Sequence, residues 1–136
     1  MVEGIEKQKK LEKQNKEKME NKIISFKELI VWQKSMLLTK EVYKMCKELP
    51  KEELFAISSQ MRRSAVSVPS NIAEGYGRRN KKEYLQFLGI ANGSACELET
   101  QLILCSDLFG LDTNHGLSLL TEVQKMLVSM QAKLKV

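Results

Sequence analysis

The chain has little with which to turn its backbone. Its 136 residues include only 2 prolines and 7 glycines. A β-sandwich of this length needs a turn every ~8–12 residues and the clusters of turn-forming residues that make one. That supply is missing, which excludes an all-β fold. In its place run long stretches with apolar residues every three or four positions, the period of a helix buried along one face. The expected fold class is all-α, an antiparallel up-down-up-down four-helix bundle. The chain is long enough for one domain.

Residues 23–136 divide into four expected helices. The first opens near Ser25, with Glu28 three residues on as in a capping box. Its stripe is Leu29, Trp32, Met36, Tyr43 and Cys46, widened by Leu38, Val42, Met45 and Leu49. Pro50 ends it, because the residue before a proline avoids helical dihedrals. The second begins just after Pro50 and carries Leu54, Ile57, Met61, Ala65, Val68, Ile72 and Tyr76. Pro69 within it lacks an N–H and crowds the Ala65 carbonyl, so a kink is expected there. Gly75 and Gly77 close the helix.

The third helix is the clearest. Asn80 caps it, with Glu83 at the reciprocal position, and residues 81–109 carry Tyr84, Phe87, Ala91, Ser94, Leu98, Leu102, Cys105 and Leu108. Gly110 stops it. Gly89 and Gly93 each cost about 1 kcal/mol against alanine in a helix interior, which implies a close packing neighbour. The fourth runs from about Thr113, with Leu117, Leu120, Val123, Leu127, Met130 and Leu134. Val66, Leu85, Leu88 and Ile90 lie beside these stripes, more apolar surface than one core covers. A closed homo-oligomer is the expected sink.

Residues 1–22 hold seven lysines and five glutamates, with Ile5, Leu11 and Met19 on no sustained stripe. This segment is expected to be a charged tail, disordered or a fraying helix. It reads either as a solubilising tail or as a basic arm for nucleic acid. No apolar run approaches the ~18 residues of a membrane span, and the charged N-terminus has no signal-peptide core. A cytoplasmic protein without a membrane partner is expected.

The catalytic patterns are negative. His115 is the only histidine. No Glu-x-x-His pair offers a di-iron site, and no arginine is followed by histidine at four to six residues. Glu97 and Glu99 are two apart on a helix and diverge. Glu74-Gly75-Tyr76-Gly77-Arg78 lacks the Gly-Lys-Ser/Thr ending of a phosphate loop. Cys46, Cys96 and Cys105 suit neither zinc nor a disulfide framework and read as small buried hydrophobes. No enzyme, cofactor, metal or small-molecule substrate is expected.

The basic residues are more informative. All four arginines, Arg62, Arg63, Arg78 and Arg79, fall within one stretch, and Lys81 and Lys82 follow. A guanidinium grips phosphate or carboxylate with a planar fork of donors, so this concentration resembles a nucleic-acid contact. The alternative is salt bridging, with Glu74–Arg78 and Arg79–Glu83 at the i,i+4 offset. Asn71 with Glu74, and Ser94 with Glu97, each share a helix face. They suit hydrogen bonds between helices or a polar pocket. Net charge is +5, which permits a polyanionic partner without demanding one.

The stretch Gln60-Met61-Arg62-Arg63-Ser64-Ala65-Val66-Ser67-Val68-Pro69-Ser70-Asn71-Ile72-Ala73-Glu74-Gly75-Tyr76-Gly77-Arg78 closely resembles the signature of the four-helix-bundle family of 23S rRNA intervening-sequence proteins. Tyr84 to Ser94, Glu97-Leu98, Gln101-Leu102, Trp32 and Val42-Tyr43 agree with it, so the resemblance spans roughly residues 26–130. It places Arg62, Arg63, Asn71, Glu74, Gly75, Gly77, Arg78, Gly93, Ser94 and Glu97 in the family motif. It implies a small bacterial protein related to the accessory variability protein of diversity-generating retroelements. By that relation it implies a barrel-shaped homopentamer that binds RNA or DNA and contacts a reverse transcriptase. Two readings follow. One is a non-enzymatic nucleic-acid-binding accessory protein. The other is an oligomeric protein-interaction scaffold, with a reverse transcriptase or ribosome-associated partner, whose arginines are structural.

Overall fold

A computed structural model describes residues 2–20 and 25–135. Residues 21–24, where the boundary between tail and body was expected, lie outside the described residues, as do both terminal residues and the Met19 side chain. The described residues form five α-helices and no strand: α1 (Val2–Glu20), α2 (Ile30–Cys46), α3 (Ile57–Tyr76), α4 (Lys81–Phe109) and α5 (Asn114–Lys135). The count exceeds the expected four because most of the charged tail is helical. Val2, Ile5 and Leu11 are exposed on α1.

The four remaining helices pack in a closed cycle, α2 on α3, α3 on α4, α4 on α5, and α5 back on α2. Gly75 meets Phe87 and Ser67 meets Ser94, so α3 and α4 run antiparallel. Leu38, Val42, Met61, Ala65, Val68, Ile72, Leu88, Ala91, Leu98, Leu102, Leu120, Val123 and Leu127 are fully buried between the helices.

Several boundaries differ from the sequence expectation. Ser25 caps a single 3-10 turn, Phe26–Glu28, with its hydroxyl accepting from the Lys27 N–H at 3.2 Å. Leu29 is then extended (ψ 125°), so α2 starts at Ile30 and no capping box forms. At the other end, the Glu48 and Leu49 N–H groups bond three residues back, so α2 gives way to tighter turns before Pro50. The second expected helix does not begin at Pro50 either. Lys51–Glu53 form an isolated 3-10 turn, Ala56 breaks the path (φ −111°, ψ −111°), and Leu54 is exposed. At α4 the expectation holds: Asn80 Oδ1 accepts from the Glu83 N–H at 2.9 Å, and Gly110 closes the helix at φ 65°.

The buried stripe of α2 is Val31, Ser35, Leu38, Val42 and Met45, continued by Leu49 in the turns beyond the helix. The stripe given precedence in the sequence is rotated outward, with Tyr43 44% exposed. On α4, Leu108 is 66% exposed and Ser94 half-buried. Cys105 is buried, Cys46 half-buried and Cys96 exposed, so the expectation of three buried thiols fails at Cys96. Burial pushes the Cys105 thiol up to about 11, with smaller contributions of the same sign from Cys46 and Glu53. The close packing neighbour expected at both glycines is not found: a Cβ at Gly93 would meet nothing within 4 Å among the described residues, and one at Gly89 only the Gln131 amide at an ordinary 3.7 Å.

Pro69 lies buried inside α3, which continues unbroken on both sides. Residue 69 supplies no N–H to the Ala65 carbonyl. The Thr39 hydroxyl reaches that carbonyl from α2, its one proton shared between Ala65 O at 3.0 Å and Ser35 O at 2.8 Å. Thr39→Val should therefore destabilise the bundle by about 1–2 kcal/mol, since it strands a carbonyl. In a Pro69→Ala background the restored N–H takes over, and the same change should cost almost nothing. Urea unfolding of the four proteins of this cycle checks the expected non-additivity.

Candidate nucleic-acid interface

Neighbouring residues on a helix point about 100° apart, so Arg62 and Arg63 leave α3 on different flanks. Arg62 turns toward α2. Its Nε donates to Ser58 O and its NH2 group to Leu54 O, both at 3.3 Å, and the guanidinium lies 5.9 Å from the Tyr43 ring centre. It thereby ties the irregular Lys51–Ala56 segment to α3. This arginine has a structural occupation within the chain.

Arg63 turns the other way, into a polar seam between α3 and α4. The seam contains a cleft of about 440 Å³ lined by Gln60, Arg63, Ser64, Ser67, Ser94 and Glu97. Its floor is hydrogen-bonded across the helices. Ser67 Oγ and Ser94 Oγ are 2.8 Å apart, and Asn71 Nδ2 donates to both Ser67 O (2.7 Å) and Ser67 Oγ (2.9 Å). Glu97 Oε1 accepts from Gln101 Nε2 at 3.4 Å. The expected polar residues Asn71, Ser94 and Glu97 thus share one seam. Gln101, which the sequence reading passed over as a site residue, is buried there with its Oε1 unpartnered.

Glu74 and Arg78 lie further along the same flank. Arg78 pairs with Glu74 Oε1 at 3.0 Å, at the expected offset, and its guanidinium sits 4.8 Å from the Phe87 ring centre. Burial raises the Tyr84 phenol above its ordinary value, and Tyr76, packed edge-on at 6.2 Å, adds to the shift. These rings flank the tight connection between the helices.

Arg79, Lys81 and Lys82 occupy that connection and the first turn of α4, and all three are exposed. Among the described residues none of them enters an ion pair, so the anticipated Arg79–Glu83 bridge is not formed. The sequence cluster is therefore four things in space. Arg62 is a brace toward α2, Arg63 lines the seam, Arg78 is paired with Glu74 beyond the end of α3, and Arg79, Lys81 and Lys82 form an exposed cationic tip. Arg63 lies thirteen residues, about 20 Å of helix, before the end of α3 at Tyr76, and Arg78 follows in the turn beyond it.

No group of three or more His, Cys, Asp or Glu side chains able to hold a metal occurs among the described residues. No described helix is long and apolar enough to cross a membrane.

The seam carries residues that set the sequence resemblance, Arg63, Asn71, Ser94 and Glu97, whereas Arg79, Lys81 and Lys82 of the tip lie outside it; comparison with known proteins agrees with the family. A search of curated proteins returned no match. A solved structure from Bacteroides thetaiotaomicron VPI-5482, described as a protein of unknown function from the S23 ribosomal protein family, superposes with a TM-score of 0.68 at 27% identity. The alignment covers 76% of this chain and 96% of that one. The family model described as 23S rRNA-intervening sequence protein matches residues 27–131, from the 3-10 turn that precedes α2 to near the end of α5. The chain belongs to the 23S rRNA-intervening sequence protein family.

Proposed function

We propose that the protein is a non-enzymatic accessory protein that binds RNA or DNA through the phosphate backbone, presenting the basic connection between α3 and α4 from a homo-oligomer of four-helix bundles. The observation that supports this reading is the cationic tip. Arg79, Lys81 and Lys82 are exposed and make no ion pair among the described residues, and Arg78 stands beside them on Phe87. Phosphate contacts from such groups release counterions and bind without reading sequence. Oligomerisation, with a pentamer as the proposed state, repeats a weak patch and multiplies its effect. Exposed Ile90, Leu104 and Leu108 on α4 favour such assembly, as does Gly93, open to a neighbouring backbone.

The test is binding to a structured RNA across a salt series, with light scattering on the same sample. Log affinity should fall linearly with log salt, with a slope of magnitude about 3 or more. The mass should be a multiple of 15.6 kDa. Salt-independent binding, or none at low salt, removes the reading. An oligomer that binds no nucleic acid supports the scaffold alternative.

A further inference from the structure

Arg63 and Glu97 face one cleft, yet among the described residues neither enters an ion pair. Glu97 is held by a single long bond from Gln101, whose own Oε1 is buried without a partner. The carboxylate is thus positioned but not neutralised. The cleft walls are serine, glutamine, arginine and glutamate, with no aromatic ring. It offers no aromatic platform for a run of stacked bases. It can hold sugar and phosphate, and its volume falls in the range that small ligands occupy.

We infer that the α3–α4 seam distinguishes RNA from DNA by its ribose, with Arg63 on a phosphate and Glu97 accepting a hydrogen bond from the 2′-hydroxyl. The inference rests on the nucleic-acid reading above and adds the class of polymer. A phosphodiester backbone is a chain of acceptors. The ribose 2′-hydroxyl is the one donor that RNA adds to it, and DNA lacks it. Glu97 beside a phosphate is repulsive unless a donor stands between them. On RNA the hydroxyl satisfies the carboxylate, and on DNA the carboxylate stays unpaired against a like charge. Discrimination of this kind works by penalising the wrong partner. The seam runs along α3 toward Glu74, whose partner Arg78 borders the tip, so a strand held at the tip is led along it. Ser67 and Ser94 supply hydroxyls that adapt as donor or acceptor.

The experiment measures the affinity of the full chain for one oligonucleotide sequence made as RNA, as 2′-fluoro RNA and as DNA, at one fixed salt. The 2′-fluoro sugar keeps the ribose pucker and removes only the donor. RNA should bind about tenfold tighter than either analogue, as for a hydrogen bond to a charged group. Glu97→Gln should bring DNA and 2′-fluoro RNA to within about threefold of RNA, because it relieves the repulsion that penalises them and weakens the charge-assisted bond that favours RNA. A merely structural role for Glu97 would weaken all three alike. Equal wild-type binding to the three polymers overturns the inference and leaves the phosphate reading standing. Absence of binding to any of them overturns both. A loss of oligomer mass in Glu97→Gln, with the RNA preference intact, assigns the cleft to a subunit contact and also overturns it.

Discussion

Replacing Arg79, Lys81 and Lys82 together with alanine is expected to flatten the salt dependence of RNA binding by about three units of log–log slope, and to weaken binding roughly 10- to 100-fold at low salt. Each residue is exposed and makes no ion pair among the described residues, so its removal breaks no internal contact that would unfold the bundle. The effect should be uniform across sequences, because phosphate contacts carry none. Arg62→Ala is the informative contrast. It removes two hydrogen bonds to backbone carbonyls and a contact with Tyr43, so it should cost about 1–2 kcal/mol of stability while leaving the slope unchanged. Anisotropy titrations at four salt concentrations, with urea midpoints for each variant, separate the two. An unchanged slope in the triple variant would move the arginine-rich stretch from nucleic acid to protein contact.

The second large effect is on stability. A Cβ at Gly75 would stand 2.7 Å from Phe87 Cβ and 3.2 Å from Tyr84 Cδ1. Phe87 Cβ is fixed to the α4 backbone, so the collision cannot be relieved by rotating a side chain. Gly75→Val should therefore push α3 and α4 apart and destabilise by about 3 kcal/mol or more, the upper end of the overpacking range. Because Phe87 also supports Arg78, the tip should lose RNA affinity in the same variant. Gly93→Ala is the counterpart. Nothing lies within 4 Å of its added methyl, and alanine is the better helix former by about 1 kcal/mol, so the subunit itself should gain stability. Thermal melts at several protein concentrations check both. A Gly93→Ala protein that melts lower only at concentrations where the wild type is oligomeric would place Gly93 in a subunit interface.

Much of this was legible in the residues. The α4 boundaries follow from Asn80, Glu83 and Gly110, whose preferences are local and decisive. The α2 stripe was harder because two sets of apolar residues run side by side, and the buried one includes Ser35. Its hydroxyl donates to the Trp32 carbonyl at 2.7 Å and so enters the core satisfied, which hydrophobicity alone does not announce. The start of α3 is not legible in sequence, because Pro50, Glu52 and Glu53 make a plausible first helical turn while the break at Ala56 has no sequence signature. The separation of Arg62 from Arg63 was available from helix geometry. Their adjacency in sequence concealed it. In sequence Gly75 reads as a helix stop, but its role lies in a contact with α4 that no local pattern reveals. The seam's charged pair could be named from the sequence but not placed, since it depends on the antiparallel register of α3 and α4.

The Thr39–Ala65 bond also bears on the order in which the chain acquires its structure. A segment equivalent to α3 alone has an unanswered carbonyl near its middle, so its two halves propagate poorly as one helix. The missing donor arrives only when α2, some 26 residues upstream, is docked against it. Helix formation and helix docking are therefore coupled at this point rather than sequential. In a φ-value analysis, Thr39 and the residues around Pro69 should report together as one nucleus, with α5 condensing later. A proline that at first sight interrupts a helix is thus expected to make α2 and α3 mature as a single kinetic unit.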